Sequence, residues 1–226
     1  MPFISPDDGY LTLFNIFETA TVEDQDRVLD AMRDIVDGAD YPGWISSTVH
    51  TAEDHPGTAN YIQWRSLADL EARYAGEKFK KKTVPLFQRL STMVQLLKTE
   101  LAFVQCHPEA GAVPEISVQR DDFTVITVLG VEPANQKALV DALAQPEQWR
   151  FAVPGYRSHA YFRVLEGHAV VGYSQWDDRE SYDRFHAVPD DDLPVEIQKS
   201  RIRARSLITS RTSNTYRVWH SRSAVS

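Results

Sequence analysis

Asn60-Tyr61-Ile62-Gln63-Trp64 and Gly172-Tyr173-Ser174-Gln175-Trp176 are one strand written twice. The second copy lies 112 residues after the first. Two further segments keep that offset. Pro42-Gly43-Trp44 returns as Pro154-Gly155-Tyr156, and Leu11-Thr12-Leu13-Phe14-Asn15-Ile16 as Phe123-Thr124-Val125-Ile126-Thr127-Val128. Three segments in a single register mark an internal duplication, so the chain carries its own two-sequence alignment. Positions where the copies agree speak for the fold. Positions where one copy alone has chemistry speak for function.

Working outward, each copy spells the same order of elements. In the first, residues 11–17 are a β-rich apolar run. Residues 21–36 are helical, with Thr21 as N-cap and Val28, Leu29, Met32 and Val36 near one face. Pro42-Gly43 is a turn, residues 44–51 a strand, and His55-Pro56-Gly57 a hairpin loop into the strand 60–64. Ser66 caps a helix to about residue 74; a second helical stretch covers 84–90, and a last strand lies within 94–106. The second copy repeats this as strand 123–131, helix 134–144, strands 156–164 and 169–176, and helix 178–185. Beyond Asp190-Asp191-Asp192 the register loosens, and 206–210 and 215–220 compete for the last strand.

The order β-α-β-β-α-β is the split ferredoxin-like unit. Its antiparallel sheet has helices on one face only, so the other face needs a partner. The second copy supplies one. The fold class expected is therefore α+β, with two tandem ferredoxin-like units closing into one barrel, an intramolecular pseudo-dimer. The units are assigned to residues 1–105 and 122–226, with 106–121 as linker. Whether the pseudo-dimer pairs again as a homodimer is left open.

Composition narrows the function classes. Apolar content of 42% and charged content of 25% are those of a soluble globular protein. A net charge of −8 argues against a nucleic-acid partner, and the one basic run, Lys80-Lys81-Lys82, reads as a solvated helix face. Cys106 is the only cysteine, which excludes an intrachain disulfide. The opening residues lack the pattern of a signal peptide, and no apolar run approaches membrane-span length, so a cytoplasmic protein with no membrane association is expected. The seven histidines form no HxH or HExxH pattern, and no GxSxG, P-loop or GxGxxG occurs.

The copies differ around the shared Trp. Asn60 is Gly172 in the second copy, and Asn15 is Thr127. Strand alternation puts Asn60, Ile62 and Trp64 on one face and Tyr61 and Gln63 on the other. Tyr61/Gln63 and Tyr173/Gln175 are identical in both copies, which suggests a sheet-to-sheet role. Trp64 and Trp176 are also shared, and alone they read as core. Asparagine is rare in strands and costly to bury without partners. The bland account is that each amide satisfies a nearby backbone group.

The β-α-β-β-α-β unit, the Pro-Gly before the second strand and the Asn60-x-x-x-Trp64 strand together resemble the antibiotic biosynthesis monooxygenase superfamily. The closest resemblance is to the cofactor-independent, quinone-forming monooxygenases of aromatic polyketide biosynthesis. The resemblance implies a pocket between sheet and helices of each unit, lined by an asparagine of the first strand and an Asn-x-x-x-Trp of the third. Asn15, Asn60 and Trp64 fall at these positions and are the expected catalytic residues. Trp44 and Tyr74 are expected to wall a small aromatic substrate. No metal, flavin or other cofactor is implied, and molecular oxygen is the co-substrate. The second copy keeps Trp176 without either asparagine, which puts its pocket in doubt.

Two other readings belong beside this one. Haem-degrading members of the superfamily use an Asn, a Trp and a haem-ligating His about ten residues after it. Trp176 and His186 have that spacing, but Thr127 stands at the Asn position; in the first copy Tyr74 stands at the His position. The triad is complete in neither copy. Duplicated barrels also act as binding proteins, and a related fold hosts polyketide cyclases. Asparagines facing the barrel interior would favour that non-catalytic reading.

Overall fold

The computed structural model describes residues 2–77 and 79–224, which form eight strands and six α-helices. The first half runs β1 (Leu11–Glu18), α1 (Val22–Asp37), β2 (Trp44–Ala52), β3 (Gly57–Trp64), α2 (Leu67–Ala75), α3 (Val84–Leu90) and β4 (Met93–Cys106). The second runs β5 (Phe123–Val131), α4 (Gln136–Leu143), β6 (Tyr156–Val164), β7 (Ala169–Trp176), α5 (Arg179–Ala187), α6 (Val195–Leu207) and β8 (Ile208–Ser223). Thr21 and Ser66 cap α1 and α2 as the sequence predicts, each accepting from the backbone N–H three residues on. A π-helical turn over Phe79–Thr83 leads into α3, with Lys80 and Lys81 exposed; Lys78 lies outside the described residues.

All strand pairings are antiparallel and the sheet closes on itself in the order β1-β3-β2-β8-β5-β7-β6-β4. Each half contributes the same block, β4-β1-β3-β2 and β8-β5-β7-β6. Closure leaves no free strand edge, which meets the need inferred from the one-sided helices. The joints are made by β4 and β8. Up to Thr99, β4 pairs with β1; from Thr99 onward it pairs with β6. Up to Tyr216, β8 pairs with β5; from Tyr216 onward it pairs with β2.

This double duty explains the ambiguity at the chain's end. Residues 208–210 of the first competing segment and all of 215–220 belong to one 16-residue strand, while residues 206 and 207 end α6. Helix α6 is absent from the sequence reading. Its apolar residues are few, and Ile197 and Ala204 alone are buried, so it carries a weak periodic signal.

The barrel interior is apolar and aromatic. Phe14, Tyr61, Phe162 and Tyr173 meet at ring-centroid distances of 5.0–6.3 Å. Gln63 and Gln175 occupy equivalent places: each accepts a hydroxyl, from Ser46 and Ser158, at 2.7 Å. Each also donates to a carbonyl of an incoming segment, Phe3 and Glu115. Those two segments bridge each other and seat Ile4 and Ile116 in the core. The shared Tyr and Gln thus serve the interface between the sheets.

Gly43 and Gly155 immediately precede β2 and β6, at φ of 78° and 79°. A Cβ at either would collide with a side chain of the following helix, Asp69 or Ser181. Left-handed backbone and close helix approach both require glycine there. That is the physical reason the Pro-Gly pair recurs.

Candidate active site

Asn15 and Asn60 are register partners across β1 and β3. Directly opposed residues on one sheet face have Cβ atoms roughly 5 Å apart. Ile62 and Trp64 continue the same face of β3. All four face the helices, away from the barrel interior, and line a cavity of about 260 Å³ between the sheet and α1, α2 and α3. Trp44, which pairs with Trp64 across β2, and Tyr74, on α2, line it too. The structure therefore brings all five predicted site residues to one cavity.

The lining is mainly apolar: Phe17, Met32, Val36, Ile62 and Phe87 face the same space. Within it, three polar atoms are buried without a hydrogen-bond partner among the described residues: Asn15 Oδ1, Asn60 Oδ1 and Trp64 Nε1. Leaving such atoms unsatisfied costs roughly 1–3 kcal/mol each. The bland account, that each asparagine caps a backbone group, fails in this geometry. Trp44 is different, since its indole donates to Ser47 Oγ at 3.0 Å. Because amide O and N exchange by a flip, each asparagine can present either an acceptor or a donor to a ligand.

Arg73 was missed by the sequence reading. It lies at the cavity wall with its guanidinium 4.9 Å from the ring of Phe79 and 5.1 Å from that of Tyr41. Its guanidinium makes no ion pair or hydrogen bond among the described residues, and it is the one charged side chain among those described in the lining. Tyr74 stacks on Phe79 at 4.5 Å, and burial raises its phenol pKa, so it stays neutral near pH 7. The signal for Arg73 was available: at the 112-residue offset it becomes Phe185.

The second half has a cavity of about 240 Å³ at the equivalent place. Thr127 and Gly172 stand where Asn15 and Asn60 stand in the first, again as register partners. Here the groups at the equivalent positions are satisfied. Trp176 Nε1 donates to Ser174 Oγ at 3.1 Å, and Thr127 Oγ1 lies 2.9 Å from Ser213 Oγ. Trp176 and His186 both line this cavity.

Eight antiparallel strands closed by two ferredoxin-like halves, with a cavity under the helices of each, define an α+β-barrel protein. A model of the family "Antibiotic biosynthesis monooxygenase" matches residues 122–190. Tetracenomycin-F1 monooxygenase from Streptomyces glaucescens is 36% identical over 75 residues, 33% of this chain and 67% of that protein. An anthrone oxidase-like protein of known structure is 41% identical with a TM-score of 0.91, covering 98% of this chain and 96% of that one. The chain belongs to the antibiotic biosynthesis monooxygenase family, and its monooxygenase relatives support an oxidoreductase.

A structure described as a major regulator of staphylococcal pathogenesis shares the fold alone, at 11% identity and a TM-score of 0.54 over 91% of this chain and 98% of that one. The family match falls on the second half, whereas the unpartnered groups of Asn15, Asn60 and Trp64 lie in the first. Among the described residues no helix is long and apolar enough to cross a membrane.

Proposed function

We propose that the protein is a cofactor-independent monooxygenase that oxidises a polycyclic phenol or anthrone-type aromatic polyketide with O₂ to a quinone. In this reading residues 1–105 form the active unit, 106–121 the connection, and 122–226 a unit whose cavity no longer serves the same reaction. The observation that carries it is the trio of unpartnered buried polar atoms, Asn15 Oδ1, Asn60 Oδ1 and Trp64 Nε1, on an otherwise apolar wall.

The chemistry asks little of the protein beyond that wall. An anthrone enolises to an electron-rich phenol, and loss of its proton gives an enolate that can reduce O₂ by one electron. Recombination of the radical pair forms a carbon–oxygen bond. The peroxide then loses its remaining C–H proton as the O–O bond breaks, giving a carbonyl and water. Both methylene hydrogens and one oxygen atom leave in that water, so no outside reductant is needed. Neutral donors suit the enolate oxygen: an amide NH₂ of Asn15 or Asn60 and the indole N–H of Trp64. The opposed asparagine can accept the phenol proton's hydrogen bond before ionisation. Arg73 lies where it would favour the anion electrostatically. Trp44 and Tyr74 wall the flat ring system.

Incubation with an anthrone under O₂, without added flavin or haem, tests the reading: quinone formation is expected, with loss of turnover in Asn60→Ala. A haem-binding reading draws on one observation, the shared cavity of Trp176 and His186. A Soret band that depends on His186 would favour it.

A further inference from the structure

The second cavity has a chemistry that the first lacks. Arg150, Arg201, Arg205 and Arg211 all line it, together with Glu147, His159 and His186. Arg150 is buried and bonds Glu147, so that pair is neutral overall. Arg201 and Arg205 share a single counter-charge, Asp190. The side chain of Arg211, exposed on β8, makes no ion pair or hydrogen bond among the described residues. The cavity therefore keeps uncompensated positive charge in a chain whose net charge is −8. Such focused charge raises the local concentration of anions.

A second, independent observation is His159 on β6, only 3% exposed. Its Nδ1 lies 2.7 Å from the Tyr156 hydroxyl, which itself donates to the Gln105 carbonyl at 3.2 Å. We assign the tyrosine proton to the Gln105 carbonyl, an acceptor only, and the Nδ1–H tautomer to His159, so that Nδ1 donates to the tyrosine oxygen. Nε2 is then left with a lone pair, buried, in the cavity lining and without a partner. Burial and Arg150 lower the His159 pKa, which keeps that lone pair free. Trp176, Phe185, Val125 and Leu129 supply flat and apolar walls.

We propose that this second cavity is a separate binding site for a hydroxylated aromatic carboxylic acid. The ring stacks among Trp176 and Phe185, the carboxylate meets Arg201 and Arg211, and the ring hydroxyl donates to His159 Nε2. The site is distinct from the one that Asn15, Asn60 and Trp64 line, and its occupancy does not depend on the reaction assigned there.

Titration calorimetry with 3-hydroxy-2-naphthoate, 2-naphthol and inorganic phosphate tests this on the whole protein. The hydroxynaphthoate is expected to bind in a saturable way, with 2-naphthol and phosphate at least about tenfold weaker and affinity falling with salt. Arg211→Gln should weaken hydroxynaphthoate about tenfold or more, as for loss of a charge-assisted contact. His159→Phe should weaken it as well, and Arg211, being exposed and unpaired, gives a variant that folds if His159→Phe does not. Asn60→Ala should leave this affinity unchanged. Absence of saturable binding, equal binding of 2-naphthol, indifference to Arg211→Gln, or loss on Asn60→Ala would each overturn the assignment. Failure of the quinone-forming reading would leave all these outcomes as they are.

Discussion

Asn15 faces Asn60 directly across the β1–β3 ladder, and neither side chain has a hydrogen-bond partner among the described residues. Two amides opposed on an apolar wall destabilise the empty protein and suit a ligand oxygen. Asn60→Ala is therefore expected to lower kcat by about 10²–10³, as for loss of one oxyanion-hole donor. Asn15→Ala should cost as much or somewhat less. Thermal stability should hold or rise in both, because a buried unsatisfied group is removed. Steady-state kinetics and a melt on the same preparations check the pair. A fall in stability without loss of kcat would assign the asparagines to packing.

The two tryptophans separate the halves. Trp64 Nε1 is unpartnered, whereas Trp176 Nε1 already donates to Ser174. Trp64→Phe should lower kcat, and Trp176→Phe should leave turnover nearly unchanged while reducing stability. Equal losses from both substitutions would contradict a single active cavity.

Acid should weaken the fold through a buried histidine in the barrel. His50 has its Nε2 2.9 Å from Tyr173 Oη, and burial pushes its pKa down to about 4. An unfolded imidazole titrates near 6.5. Above that pH the linkage contribution is fully present. As pH falls from about 6.5 toward about 4, the unfolded chain takes up a proton that the folded ring refuses, so stability drops, by up to roughly 3 kcal/mol. His159, also held low by burial, acts in the same direction. Melts across this window should show the decline, and His50→Gln should flatten it. An unchanged slope in that variant would remove His50 from the account.

Severing the chain within 106–121 tests the interdependence of the halves. Each half would keep a long strand, β4 or β8, whose far end pairs with the other half. Exposed strand edges of that length template association. The fragments should aggregate or reassemble into the barrel when mixed. Two stable, monomeric halves would contradict the shared barrel.

Much of this was legible in the sequence, for reasons that individual residues show. Tyr61/Gln63 and Tyr173/Gln175 recur because both sheets need the same interface. Pro42-Gly43 recurs because left-handed backbone and a near helix leave no alternative. The site was legible where the copies disagree, at Asn15/Thr127 and Asn60/Gly172. Arg73/Phe185 and Ser47/His159 are differences of the same kind, and they were overlooked because neighbouring aromatics and strand residues read as ordinary core. The last strand was obscured because β8 serves two partners along its length, and its sequence carries two patterns in series. Helix α6 was missed because its two buried residues, Ile197 and Ala204, fall short of a periodic stripe.

On the proposed chemistry, an apolar wall with three neutral hydrogen-bonding groups suffices for oxygenation. The most direct test is turnover of an anthrone by protein stripped of metal, flavin and haem, under isotopically labelled O₂, with the products read by mass spectrometry. One labelled oxygen in the quinone, at a rate that falls by about 10² or more in Asn60→Ala, is the expected result. Quinone without label, or turnover that returns only when flavin, metal or haem is added back, would contradict it.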